Sequence, residues 1–261
     1  MFDKHPKGLI AAALANLGER FGFYTMMAIL VLFLQAKFGM NGKEAGFIYS
    51  TFYFSIYILA LVGGIIADKT RNYKGTIFTG IVLMAVGYLL LAIPSKTPVD
   101  NKMLYLVITC ASLFVIAFGN GLFKGNLQAL VGQMYDNPQY ANMRDSGFSL
   151  FYMFINIGAI FAPFAAVGVR NWWLSTFGYN YDADLPALCH GHLAGTLSPE
   201  ATETYHTLVE KASNAPVQDY TAFASDYLNV FTTGFHYAFG VAIIAMVISL
   251  TIYLLNKRNF P

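Results

Sequence analysis

Charged residues are scarce in this chain, and so are cysteines. Asp, Glu, Lys and Arg together make up 11% of the 261 residues, whereas soluble domains contain about 25%, so an ordinary soluble domain is excluded. The net charge is only +2 and no basic stripe is present, so we expect no nucleic-acid partner. Cys110 falls in an apolar segment and Cys189 in a polar one, which predicts neither a disulfide nor a metal site.

Catalytic sequence motifs are absent as well. The chain contains no H-E-x-x-H, no G-x-S-x-G and no pair of catalytic aspartates, which are the patterns that hydrolases place on helices or sharp turns. The "CHGH" stretch puts His190 and His192 two residues apart, but no further ligands have suitable spacing. We therefore expect no enzymatic activity, no catalytic residues and no bound metal.

Long apolar segments dominate the sequence, which is 56% hydrophobic and 16% aromatic. As a helix, the first of them would be roughly 39 Å long, which is enough to cross a bilayer core of about 30 Å. Turn and charge signals separate the segments. Their approximate ranges are 9–34, 47–67, 76–93, 103–134, 147–169 and 231–255. The pattern predicts an all-α, polytopic membrane protein with six transmembrane helices.

The segments divide the chain into three parts. We predict helices 1–5 in residues 1–169, an extracytoplasmic loop in 170–229, and helix 6 with a cytoplasmic flank in 230–261. Lys and Arg favour the side of the N-terminus, which places both termini in the cytoplasm and the protein in the cytoplasmic membrane. Within the loop, Ser198 suits a helix N-cap and Pro199 the first helical position. An amphipathic helix follows, with one face formed by Ala201, Tyr205, Leu208 and Val209.

Several polar residues interrupt the apolar segments at a common depth. Arg20, Tyr57, Lys124 and Asn156 each lie roughly 14–16 Å from the inner surface when helical rise is counted from the inner ends of their segments. Half a bilayer core is about 15 Å. Ionisable groups at that depth face a bundle interior or a water-filled cavity. We therefore predict that these residues converge on one chamber near the membrane midplane.

Helical spacing adds detail to this chamber. Asn16, Glu19, Arg20, Phe23 and Met27 share one face of helix 1, and Tyr49, Tyr53 and Tyr57 share one face of helix 2. Arg20 and Lys124 suit carboxylates, and Glu19 can carry a proton. Simpler interpretations remain open at this stage. Glu19 and Arg20 can form a static pair, Lys124 can extend to the inner surface, Asn156 can join helices, and the tyrosines can serve packing alone.

Four motifs in order resemble one family. "NLGERFGFY" resembles the helix-1 signature E-x-x-E-R-F-x-Y-Y of the proton-dependent oligopeptide transporters, which belong to the major facilitator superfamily. "GGIIADK" followed by "YKG" resembles its helix 2–3 signature, "GLFKGN" its helix-4 stretch and "GFSLFYMFINIGA" its helix-5 stretch. The resemblance covers residues 10–165 and implies the N-terminal six-helix half of a major facilitator fold.

The resemblance also implies roles for individual residues. Glu19 would take part in proton coupling and pair with Lys124, and Arg20 would bind the carboxylate of a peptide. Lys124 would also contribute to the peptide site, whose other members would be Tyr24, Tyr57 and Asn156. The helix 2–3 signature implies a motif for conformational change formed by Gly64, Asp68 and Lys69. No cofactor is implied, because protons serve as the coupling ion.

Three residues depart from the family pattern: Asn16 replaces the first signature glutamate, Phe23 the first tyrosine and Gly125 the helix-4 proline. We expect proton-coupled symport of di- and tripeptides, with this chain as the N-terminal bundle in the lipid bilayer and a C-terminal six-helix half missing from it. One alternative is a related transporter of an anion or amino acid with altered proton coupling. Another is a non-transporting membrane half or scaffold subunit.

Overall fold

The computed structural model describes residues 4–261, and six of its helices are long and apolar enough to cross a membrane. These six are α1 (Lys7–Phe38), α2 (Gly42–Thr70), α3 (Tyr73–Ala92), α4 (Lys102–Met134), α5 (Arg144–Thr176) and α8 (Tyr220–Leu255). Two shorter helices, α6 (Leu185–Ala194) and α7 (Pro199–Ala212), lie between α5 and α8. The prediction of an all-α bundle with six spans is confirmed.

Local sequence signals set the helix ends. Gly39 ends α1 in the left-handed conformation, with φ of 59°, which glycine adopts without a steric cost. Asn41 then caps α2 by accepting from the backbone N–H of Glu44, and the Glu44 carboxylate accepts from the backbone N–H of Asn41. These two bonds form a capping box. Asp219 caps α8 by accepting from two backbone N–H groups of its first turn. Because the end of one helix and the cap of the next lie close together in the chain, the connections between α1, α2 and α3 are short.

Helix α1 lies in the middle of the bundle and is the most buried span. It packs mainly on α8 and α5. Helix α3 packs mainly on α4, and α2 also packs on α4. Small residues allow the closest approach: a Cβ added to Gly63 on α2 would lie 2.2 Å from the carbonyl oxygen of Gly121 on α4. This contact depends on the absence of side chains, as is common between membrane helices.

Helices α2 and α5 leave many apolar side chains uncovered. They are the two least buried spans, and the exposed fractions of Phe47, Leu61 and Phe164 are 73%, 71% and 74%. An exposed apolar surface of this extent marks contact with lipid or with another protein surface. We call the exposed sides of these two helices the α2/α5 face.

The segment between α5 and α8, predicted as an outer loop, contains more helix than the sequence predicted, and we call its helices α6 and α7 the outer helices. The predicted amphipathic helix is confirmed as α7, and Ser198 caps it by accepting from the N–H of Ala201. Helix α6 was not predicted, although Asp184 and Pro186 supply start signals. Helix α5 continues past residue 169 to Thr176, and α8 begins at Tyr220 rather than near residue 231. The added turns of α8 are held by these shorter helices, since His192 on α6 bonds Thr221 and Tyr205 on α7 bonds the carbonyl oxygen of Tyr220.

Candidate functional site

A buried ion pair occupies the middle of α1. Glu19 is fully buried and Arg20 is 5% exposed. Both carboxylate oxygens of Glu19 accept hydrogen bonds from Arg20, one from Nε and one from Nη2, and the Nη2–Oε1 distance is 2.7 Å. This is the only salt bridge among residues 4–261. The bidentate geometry is the one in which arginine and a carboxylate bind most strongly.

Asn120 on α4 completes the surroundings of Glu19. Its side chain is fully buried, and its Nδ2 donates to Glu19 Oε1 at 2.7 Å. Sequence reasoning did not select Asn120. The available signal was its spacing, because it lies four residues before Lys124 and so shares a face of α4 at nearly the same depth.

Tyr88 brings a third helix, α3, to the same place. The side chain is fully buried, and its hydroxyl has no hydrogen-bond partner. It lies near enough to Glu19 and Arg20 to interact with both charges. The site is therefore a polar cluster enclosed by α1, α3 and α4.

The other side of Arg20 is aromatic. Its guanidinium carbon lies 4.8 Å from the ring centre of Phe23 and 6.0 Å from that of Tyr24. Both distances fit cation–π contacts. Phe23 is buried, whereas Tyr24 is only partly so. Tyr24 therefore lies between the enclosed pair and the exposed surface of the bundle.

Lys124 does not pair with Glu19 in this structure, in contrast to the expectation from the resemblance. Its Nζ lies 5.4 Å from the ring centre of Tyr57, and it makes no salt bridge within residues 4–261. The physical reason is that Arg20 and Asn120 already occupy the oxygens of Glu19. Tyr57 is 52% exposed and its hydroxyl bonds that of Tyr53 at 3.1 Å. The assignment of Lys124 to proton coupling stays a prediction.

Asn156 lies on α5 and is exposed. Two residues further on, α5 packs closely on α1, since a Cβ added to Gly158 would lie 2.9 Å from the carbonyl oxygen of Leu17 and 3.7 Å from Arg20 Cβ. No hydrogen bond within the described chain joins Arg20, Lys124 and Asn156 to one another. The structure therefore contains an enclosed Glu19–Arg20 pair, a half-buried Lys124 and an exposed Asn156. Their convergence on one chamber near the membrane midplane stays a prediction.

The residues of the predicted conformational motif lie towards the C-terminal end of α2. Gly64 has open space where a Cβ would lie. Asp68 and Lys69 are exposed, and Asp68 accepts a hydrogen bond from the hydroxyl of Tyr73 at the start of α3. This bond connects α2 to α3 across their short turn.

The two histidines of "CHGH" have separate partners. His190 Nε2 bonds the carbonyl oxygen of Ala36 at 2.7 Å, and His192 Nε2 bonds Thr221 Oγ1 at 3.1 Å. Within residues 4–261, no three His, Cys, Asp or Glu side chains are placed to hold a metal ion. These histidines hold α6 against α1 and α8.

Comparison with known proteins identifies the family. Residues 74–261 match the family described as PTR2, the POT family. The chain belongs to the POT family. It is 34% identical over 185 residues to peptide transporter YePEPT of Yersinia enterocolitica, covering 69% of this chain and 34% of that protein. It is 34% identical over 179 residues to dipeptide and tripeptide permease A of an Enterobacter species, covering 68% and 32%.

Solved POT structures show the same fold. A crystal structure of peptide transporter POT in complex with sulfate aligns with a TM-score of 0.66 and 26% identity, over 99% of this chain and 39% of that one. A POT family transporter in complex with 5-aminolevulinic acid gives 0.65 and 25%, over 99% and 40%. The family resemblance seen in the sequence is thereby confirmed, and these relatives are transporters rather than enzymes. The chain spans about a third of the length of the curated POT relatives.

Proposed function

We propose that this chain is the N-terminal bundle of a proton-coupled symporter of di- and tripeptides in the cytoplasmic membrane, with both termini in the cytoplasm. The buried Glu19–Arg20 pair at mid-span carries the proposal. Ionisable residues inside a membrane are costly, and they mark substrate or proton pathways. The names of the two curated relatives, a peptide transporter and a dipeptide and tripeptide permease, support the peptide as substrate.

Charge balance explains how this pair would couple protons to peptides. With Glu19 ionised, its two carboxylate oxygens accept from Nε and Nη2, which form one hydrogen-bonding edge of the Arg20 guanidinium. A proton on Glu19 removes the negative partner and leaves the guanidinium buried without a counter-ion, which is unfavourable. The carboxylate of a peptide would then restore neutrality, because it fits the same bidentate geometry. Proton and peptide would therefore bind together more favourably than either alone.

The remaining predicted pocket residues lie towards the open side. Tyr57 and Asn156 are exposed, and Tyr24 and Lys124 are half-buried. Lys124 carries a charge beside the Tyr57 ring with no acidic partner in the described chain. These side chains would contact the body of the peptide, while Arg20 takes its carboxylate.

A second six-helix bundle would cover the α2/α5 face. The exposed apolar side chains of that face suit a protein partner, and major facilitator transporters hold their substrates between two such bundles. Gly64, Asp68 and Lys69 would act at the inner end of α2, where the bundles move against each other. The open space at Gly64 agrees with a contact made by another segment.

Liposomes that contain this chain together with a C-terminal bundle of a POT relative test the proposal. We expect an inward proton gradient to increase dipeptide uptake, and Glu19→Gln to abolish the increase. Glu203→Gln on α7, where the glutamate is exposed, is the matched control and should behave as the unchanged chain. Equal uptake with and without the gradient, or full gradient-driven uptake in Glu19→Gln, would contradict the coupling role.

Transport of a different substrate is the second candidate. Asn16 is buried at the start of the helix-1 signature and cannot titrate, and Phe23 contributes no hydroxyl beside Arg20. Both features favour an anion or amino acid with altered proton coupling. Thermal unfolding with dipeptides, free amino acids and inorganic anions separates the candidates, because the ligand that binds the folded state raises the unfolding temperature.

A further inference from the structure

The two polar atoms of the Asn120 side chain differ, because only one of them makes a hydrogen bond. Its Nδ2 donates to Glu19 Oε1 at 2.7 Å, whereas its Oδ1 has no hydrogen-bond partner, although the side chain is fully buried. A buried polar atom without a partner is uncommon and calls for an explanation. The unpaired Oδ1 belongs to the same amide that already contacts the carboxylate.

The chemistry of Glu19's neighbours distinguishes this amide from them. Arg20 can only donate hydrogen bonds, so it binds an ionised carboxylate and offers nothing to the O–H of a carboxylic acid. An asparagine side chain can do both, because Nδ2 donates and Oδ1 accepts. The other titratable groups near the pair are Tyr24 on α1 and Tyr88 on α3. Neither tyrosine makes a hydrogen bond to Glu19 in the described chain.

We propose that Asn120 is a positioning residue that stabilises both protonation states of Glu19 in turn. With Glu19 ionised, Nδ2 donates to its carboxylate. When a proton binds a carboxylate oxygen, the new O–H donates to Oδ1 after the amide has turned about its Cβ–Cγ bond. The local charge then changes from zero to +1, carried by Arg20, which is left free for an anionic group. This inference rests on the proposed function, since it assumes that Glu19 takes up a proton.

Lys124 does not compete for this role. It lies on the next turn of α4, and its Nζ is directed to the Tyr57 ring rather than to Glu19. Asn120 therefore provides the contact from α4 that the family resemblance assigned to the lysine. Asn120 can keep a hydrogen bond to Glu19 in both protonation states, whereas a lysine ammonium has no acceptor for a carboxylic acid.

Infrared difference spectroscopy of the whole chain in lipid nanodiscs, between neutral and acidic pH, tests this inference without any transport. The carbonyl band of protonated Glu19 is identified as the band that Glu19→Gln removes. In Asn120→Leu we expect that band to move to higher wavenumber, because the acid has lost its acceptor. Tyr88→Phe, which removes the other nearby hydroxyl, should leave the band in place.

Three outcomes of the infrared measurement would contradict the inference. An unchanged band in Asn120→Leu, a shift in Tyr88→Phe instead, or no Glu19 band at any pH would overturn the inference. If Asn120→Leu does not fold, Asn120→Ala gives the same measurement. Dipeptide uptake is measured separately. If the Glu19 band shifts in Asn120→Leu but the chain paired with its C-terminal bundle shows no gradient-driven uptake, only the proposed function fails. If uptake is normal but the band does not respond to Asn120→Leu, only this inference fails.

Discussion

Helix α1 carries two buried cations whose surroundings differ. Arg20 at mid-span is 5% exposed and binds a carboxylate. Lys37 in the last turn is 2% exposed and has no acidic partner in the described chain. Its Nζ donates to the carbonyl oxygens of Ser95 and Lys96 and to Thr97 Oγ1, the last at 2.8 Å. One buried charge has a counter-ion and the other has only neutral oxygens.

Position in the helix accounts for the difference. Lys37 lies at the C-terminus of α1, where the aligned peptide dipoles favour a cation, and this effect fades within one turn. Arg20 is too far from either end to benefit and therefore needs a full negative charge. A carboxylate partner can be removed by a proton, whereas carbonyl oxygens cannot titrate. The mid-span cation therefore depends on a titratable partner, whereas Lys37, which we call the outer site, is bonded to the α3–α4 connection through neutral oxygens.

Breaking the mid-span pair should have the largest effect. Glu19→Gln leaves Arg20 buried without a counter-ion, which costs about 3–5 kcal/mol. Equilibrium unfolding of the purified chain in detergent measures this loss.

The double variant Glu19→Gln, Arg20→Met is the control, because it removes both charges together. It should recover most of the stability lost in the single variant. A double variant as unstable as Glu19→Gln would show that packing rather than charge dominates the site.

Removing the outer cation should cost less. Lys37→Met leaves the carbonyl oxygens of Ser95 and Lys96 without their donor, whereas Thr97 Oγ1 still accepts from the hydroxyl of Thr232. We expect a loss of about 1–3 kcal/mol in the free energy of unfolding. The same unfolding measurement should show the loss, and residues 94–101 should become more accessible to protease. Lys43→Met changes an exposed lysine and should match the unchanged chain. Equal losses for Lys37→Met and Glu19→Gln would remove the distinction between the two sites.

The apolar pattern and the helix period were enough to predict the spans and the place of Arg20 near the middle of its helix. Those features depend on length and local spacing, which a sequence shows directly. The partner of Glu19 was not predictable in the same way. The family resemblance implied Lys124, but the orientation of α4 turns Asn120 to the carboxylate and Lys124 to Tyr57. That orientation depends on contacts such as Gly63 with Gly121, which only the packed bundle reveals.

The outer helices show a second limit. Helix α7 was predictable because its cap and apolar face are local signals. Helix α6 is short and has little amphipathic pattern, and it is held by tertiary contacts such as His190 with Ala36. The early start of α8 has the same cause, since Tyr227 in its added turns bonds the carbonyl oxygen of Asn180. Segments that fold against their neighbours do not carry the full signal in their own residues.

The smallest expected effect concerns the same outer end of α1. Burial lowers the pKa of His190, with a further contribution from Lys102, although its bond to the Ala36 carbonyl opposes the shift. The unfolded chain has the ordinary histidine pKa of about 6.5, so it binds more protons than the folded chain just below that pH. Stability should therefore fall as the pH drops below about 6.5, until the lowered pKa is reached.

His190→Gln keeps a donor for Ala36 but cannot titrate, so its unfolding temperature should change less between pH 7 and pH 5 than that of the unchanged chain. His206→Gln on α7 is the matched control and should retain the original pH dependence. If His190→Gln loses stability on acidification as steeply as the unchanged chain does, another group governs the outer end of α1. The comparison of Lys37 with the Glu19–Arg20 pair would then change, because a titrating group would also lie near Lys37.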